Sequence, residues 1–170
     1  MKMKMMPSAL LITLCCGVSA QAADIDKNEV TINITGRLFY PPPCVVSSEN
    51  ITVPLGDMTT SKVDGTEYIK EIGVTITCTA AKKDSLKLSF AGDAATGTGV
   101  PAGLLKTSYD RLGIRFKTGA TTPVDLNINT DFNFTKTTVP KLWLVPVKIG
   151  TAELEPRDIT ATATLKIQHN

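Results

Sequence analysis

Histidine is almost absent from this chain of 170 residues, where the only one is His169, beside the last residue. A Ser-His-Asp triad would have to draw its base from a chain end, which is a poor place to hold an imidazole in register. G-x-S-x-G, H-E-x-x-H and P-loop patterns are also missing. Glu153 and Glu155 could be imagined as a glycosidase pair, but they stand in a Pro-containing, turn-like stretch where solvation accounts for them. The expectation is no enzyme, no catalytic residue, no cofactor and no metal site. Long basic runs are missing too. The chain has 18 basic and 16 acidic side chains, and Lys82-Lys83 reads as a solvated pair at a turn. That balance gives no electrostatic case for a nucleic acid or an anionic membrane partner.

No apolar run is long enough to span a bilayer. The longest, at residues 9–18, falls well short of the roughly 20 residues that a helix needs to cross. It follows the basic start carrying Lys2 and Lys4 and ends in Ala20-Gln21-Ala22, which fits the A-x-A cleavage rule. Residues 1–22 therefore read as a cleaved secretory signal peptide, with Ala23 opening the mature chain. Lys2 and Lys4 leave with it, so the mature charges balance at 16 of each sign. Cys15 and Cys16 leave as well. Cys44 and Cys78 remain in an oxidising compartment, which makes a structural disulfide the natural reading. Closing that loop stabilises the fold by roughly 3–4 kcal/mol in the chain-entropy picture.

Strand-like alternation is abundant in what is left. Apolar residues recur at a period of two in Val30-Thr31-Ile32-Asn33-Ile34, Val74-Thr75-Ile76-Thr77-Cys78, Leu86-Lys87-Leu88-Ser89-Phe90 and Leu112-Gly113-Ile114-Arg115-Phe116. Residues 142–147 and 159–167 continue the pattern. Each places one apolar face on a core, as half-buried strands require. Residues 92–103 contain four glycines and a proline and read as a loop. Pro41-Pro42-Pro43 cannot lie in a central strand, because three successive ladder donors are missing. An all-β sandwich follows. It is not an ordinary immunoglobulin domain, since the single tryptophan, Trp143, lies beyond Cys78 rather than between the cysteines. The sequons at Asn33, Asn50 and Asn133 are of a kind that a Thr-rich chain produces by chance.

The two ends carry more. Val30, Ile32, Ile34, Gly36 and Leu38 share one register ahead of the proline break. They read either as a first core strand or as a strand offered to another molecule. Ile159, Ala161, Ala163, Leu165 and Ile167 share a face, and His169 continues it. If they line a sheet edge, that edge invites an added strand.

Taken together, these features resemble a chaperone–usher fimbrial (pilus) subunit, with minor tip or adaptor pilins as the nearest pattern. The resemblance rests on the signal peptide, Val-Thr-Ile-Asn-Ile-Thr-Gly at 30–36, and Arg37 to Cys44 with its three prolines. It rests also on Asn50-Ile-Thr-Val-Pro-Leu-Gly-Asp, the second cysteine in Val-Thr-Ile-Thr-Cys, and the closing Thr-Ala-Thr-Ala-Thr-Leu. It covers essentially the whole mature chain.

The resemblance implies an incomplete immunoglobulin-like β-sandwich with one disulfide, completed by a donated strand. Residues 1–22 would be the signal, 23–38 a donor-strand extension and 39–170 the pilin domain. Val30, Ile32, Ile34, Gly36 and Leu38 would enter the groove of a preceding subunit, with Gly36 at the donor-strand glycine. Ile159, Ala161, Ala163, Leu165 and Ile167 would form one wall of this subunit's own groove. His169 and the carboxylate of Asn170 would meet a periplasmic pilus chaperone. The remaining implied partners are the outer-membrane usher and neighbouring pilin subunits or a tip adhesin, with export through the periplasm to the cell-surface pilus. Two positions depart from the family: His169 replaces its usual penultimate Tyr, and Arg157 stands where it tends to have Gly. The competing expectation is a self-contained secreted β-sandwich that binds carbohydrate or a receptor through loops such as 92–103.

Overall fold

A computed structural model of the chain describes residues 31–119 and 122–170, and it divides between Leu38 and Phe39 into two units. The expected signal peptide and Val30 lie outside the described residues. In the first unit, residues 31–38 join no ladder, and Ile32, Ile34 and Leu38 are exposed. The strand expected from their alternation is therefore not formed there. An alternating face becomes a strand only when a second backbone supplies the hydrogen bonds.

The second unit is all-β apart from one 3-10 turn at Thr60–Lys62. Its strands are β1 (Val45–Val46), β2 (Lys70–Glu71), β3 (Ile76–Thr77), β4 (Ser85–Ala91) and β5 (Leu105–Lys106). They continue with β6 (Leu112–Gly119), β7 (Val124–Leu126), β8 (Phe132–Thr135), β9 (Lys141–Lys148) and β10 (Thr164–His169). One large sheet has the order β10-β4-β8, a second β2-β9-β6-β5 with β7 also on β6, and β1 and β3 form a separate two-stranded sheet. All these pairs are antiparallel.

Of the long strands, β4 and β6 follow their side-chain pattern, whereas β9 buries Leu142, Val145 and Pro146 and so departs from the alternation expected at 142–147. In β4, Leu86, Leu88 and Phe90 are buried while Lys87 and Ser89 between them are half-exposed. In β6, Ile114, Phe116 and Thr118 face inward in the same way. The two large sheets meet where Phe90 stacks on Phe116, with ring centroids 3.9 Å apart and planes 7° from parallel. Leu86, Leu88, Leu105, Leu126, Phe134 and Leu142 complete that core. Each such side chain contributes about 1.5–3 kcal/mol by leaving water. A smaller cluster of Val63, Tyr109, Leu112 and Leu154 closes one end, with Met58 and Ile159 packed against it.

Cys44 and Cys78 form the expected disulfide across a sequence separation of 34. It lies beside the β1–β3 pair, where Val45 faces Thr77 and Val46 faces Ile76, so it anchors the chain just after the prolines. The alternation at 74–78 yields only the two residues of β3, because β1 is itself two residues long. The alternation at 159–167 yields a ladder only from Thr164 onward, where β4 runs alongside.

Candidate functional site

Two stretches without a ladder face each other across an open groove of about 1160 Å³. One wall is residues 51–60 and the other residues 156–163, with Ile114 and Leu144 between them. Among the described residues, 51–58 make no backbone-to-backbone hydrogen bond, and 156–163 make one, through the carbonyl of Thr160. Most residues of both walls are exposed, so these groups are left to solvent rather than to a neighbouring strand. Both walls therefore present free donors and acceptors along the groove.

The body holds each wall in place. Thr160 accepts a bond from the Ser108 N–H at 2.8 Å and donates its own N–H to Ser108 Oγ at 3.0 Å. Gly92 lets the same wall approach, since a Cβ there would come 2.8 Å from Leu105 Cδ1 and 3.2 Å from the Thr162 carbonyl. On the other wall, Val53 and Leu55 pack against the main core. The alternation then breaks at Gly56, whose φ of 74° lies in the left-handed region. Met58, rather than Asp57, consequently joins the smaller cluster. The Thr59 N–H donates to Tyr68 Oη at 2.8 Å, which ties down the end of the wall.

Ile159, Ala161 and Ala163 line the groove. Leu165 and Ile167 continue the same face within β10 but pack against the core, opposite Phe90 and Leu88. The ring of His169 tilts against Tyr40 with centroids 5.6 Å apart, and neither of its buried nitrogens has a hydrogen-bond partner among the described residues. The Asn170 carbonyl accepts from Lys83 Nζ at 3.0 Å, and its side-chain amide donates to Ser85 Oγ at 3.0 Å. Ile32, Ile34, Gly36 and Leu38 lie in the separate first unit, exposed.

Sequence reasoning missed the opposite wall. Ile51, Val53 and Leu55 alternate, so the signal existed, but Pro54 and Gly56 mask it as a turn. Arg157 also lines the groove, and its guanidinium lies 4.5 Å above the ring of Tyr109. Among the described residues there is no group of acidic, histidine or cysteine side chains that could hold a metal ion.

Comparison with known proteins supplies the family and the fold. The family model described as Fimbrial protein matches residues 32–170. The chain is 30% identical over 165 residues to the fimbrial-like protein YfcR of Escherichia coli K12, covering 95% of this chain and 92% of that one. To YfcQ of the same organism, also fimbrial-like, it is 33% identical over 168 residues, covering 93% and 96%. Its fold is similar to that of the P pilus adaptor subunit PapF, with a TM-score of 0.54 and 24% identity over 77% of this chain and 98% of that one. The P pilus rod subunit PapA gives a TM-score of 0.54 at 16% identity, over 84% and 99%.

Proposed function

The chain belongs to the fimbrial protein family, and from that membership we propose that it is a structural minor subunit, a tip adaptor, of a chaperone–usher adhesive pilus. It joins the pilus by donor-strand complementation. The groove receives a strand first from a periplasmic chaperone and then from a neighbouring subunit, and residues 23–38 enter the groove of another subunit in turn. Export through the periplasm and delivery by an outer-membrane usher belong to the same reading.

The observation that carries it is the pair of facing walls whose backbone groups lack ladder partners. An added strand would satisfy both rows at once and bury alternate apolar side chains over Ile114 and Leu144. On the donor side, Ile32, Ile34 and Leu38 expose a row of apolar side chains in a single register, and Gly36 leaves a gap in that row. An independent carbohydrate- or receptor-binding module would not need an open groove through its core, and loop 92–103 offers no aromatic side chain for sugar stacking.

Deleting residues 23–36 tests the donor role. The truncated protein is expected to fold and still co-purify with its chaperone while failing to enter the pilus. Unfolding of the body on deletion would show instead that the segment is a core strand of its own domain.

A further inference from the structure

Among the side chains that line the groove, Arg157 is set apart by its surroundings. It belongs to the odd-numbered row that continues through Ile159, Ala161 and Ala163, so its side chain turns toward the body and lies over Tyr109. Tyr109 is buried, and its hydroxyl accepts the Glu155 N–H at 3.2 Å, so the ring beneath the guanidinium is fixed. Stacking on a fixed ring limits the rotamers of a long side chain and leaves its N–H groups to point outward.

The charge itself is unmatched. Among the described residues, no carboxylate oxygen lies within 4.0 Å of the Arg157 guanidinium, although Arg111, Arg115 and several lysines have such partners. Asp57 and Asp158 also border the groove. Asp158 occupies the opposite alternation, Asp57 belongs to the other wall, and neither carboxylate comes within 4.0 Å of the guanidinium. Arg157 is thus an oriented cation at one end of an otherwise apolar row.

We infer that Arg157 is a specificity-determining residue of the groove, selecting an incoming strand that carries a carboxylate where its side chain meets the guanidinium. The inference rests on the groove being a strand acceptor, and it names the chemistry of the strand accepted: alternating apolar residues with Asp or Glu at the Arg157 end. A lysine or arginine there would place two cations together and be rejected. A neutral side chain would leave the guanidinium without its partner.

Synthetic peptides with an alternating Val/Ile and Thr core, bearing Glu, Gln or Lys at either end, are the probes. Their binding to the full mature chain is read by fluorescence anisotropy at low and high salt. The Glu peptide with its charge at the correct end is expected to bind about threefold tighter than the Gln peptide, the scale of a partly exposed ion pair. The Lys peptide should bind more weakly than either. Salt should shrink these differences, Arg157→Gln should abolish them, and Arg157→Lys should keep their order. Equal binding of Glu and Gln peptides to the unaltered chain, or a preference that survives Arg157→Gln in a variant with unchanged circular dichroism, overturns the role of Arg157 and leaves the acceptor groove standing. Failure of every peptide to bind overturns the groove reading and this inference with it.

Discussion

Among the described residues, nothing beyond its own chain neighbours lies within 4 Å of a would-be Cβ at Gly36. A Gly36→Leu substitution should therefore leave the thermal midpoint of the subunit unchanged. On the donor reading it should nevertheless prevent incorporation into a pilus, which electron microscopy or pilus fractionation would show. Leu88 is the opposite case, with 1% of its surface exposed between the two large sheets. Leu88→Ala leaves a cavity that the surrounding strands cannot fully close, so urea unfolding should register a loss of about 2–5 kcal/mol. Asp64 shows electrostatics acting through a turn. The N–H groups of Glu67 and Thr66 and the Thr66 hydroxyl all donate to its carboxylate, with the Glu67 bond the largest cause. Its pKa falls from 3.8 to about 2. Because the folded value is the lower one, this turn supports the fold at pH values above 3.8 and loses that support as pH falls from there through about 2. An NMR titration of the Asp64 carboxyl should find its midpoint near the lower value.

Secondary elements differ in how far their residues foretell them. β4 and β6 were legible because several buried side chains recur at a period of two and each has a long neighbour to pair with, whereas β9 was legible as an apolar run although it buries Leu142, Val145 and Pro146 rather than alternate residues. β2, β5 and β7 were not, since two or three residues hold too little pattern. β2 is placed by a strand from far along the chain, where Lys70 meets Leu144, while β5 and β7 take their places against the nearby β6. Residues 159–163 carry as clear an alternation as 164–167, yet only the latter pair. Side chains state which face turns inward, whereas pairing depends on a second backbone that one segment cannot encode. The groove followed the same rule: the wall at 159–163 could be expected from its apolar row, while the wall at 51–60 was hidden by Pro54 and Gly56. The disulfide was legible from cysteine count and compartment together. Its removal by Cys44→Ser with Cys78→Ser should lower stability by about 3–4 kcal/mol in denaturant titrations, with the β1–β3 pair loosening first.

At the scale of the whole molecule, two features of one chain complement each other in kind. The pilin domain has two facing backbone edges with no strand between them, and the exposed segment 31–38 has an alternating face with no sheet to join. On the proposed reading, a polymer in which each subunit supplies what another lacks resolves both and gives the unpaired groups along the groove their partners. The claim concerns backbone hydrogen bonds, so amide hydrogen exchange addresses it most directly. The comparison is between the isolated mature chain and the same chain within an assembled pilus, with β4 and β6 as internal references. The account predicts that residues 51–58 and 156–163 exchange rapidly in the isolated chain and become as protected as β4 on assembly. Protection of both walls already in the isolated chain, or rapid exchange that persists in the pilus, would contradict it.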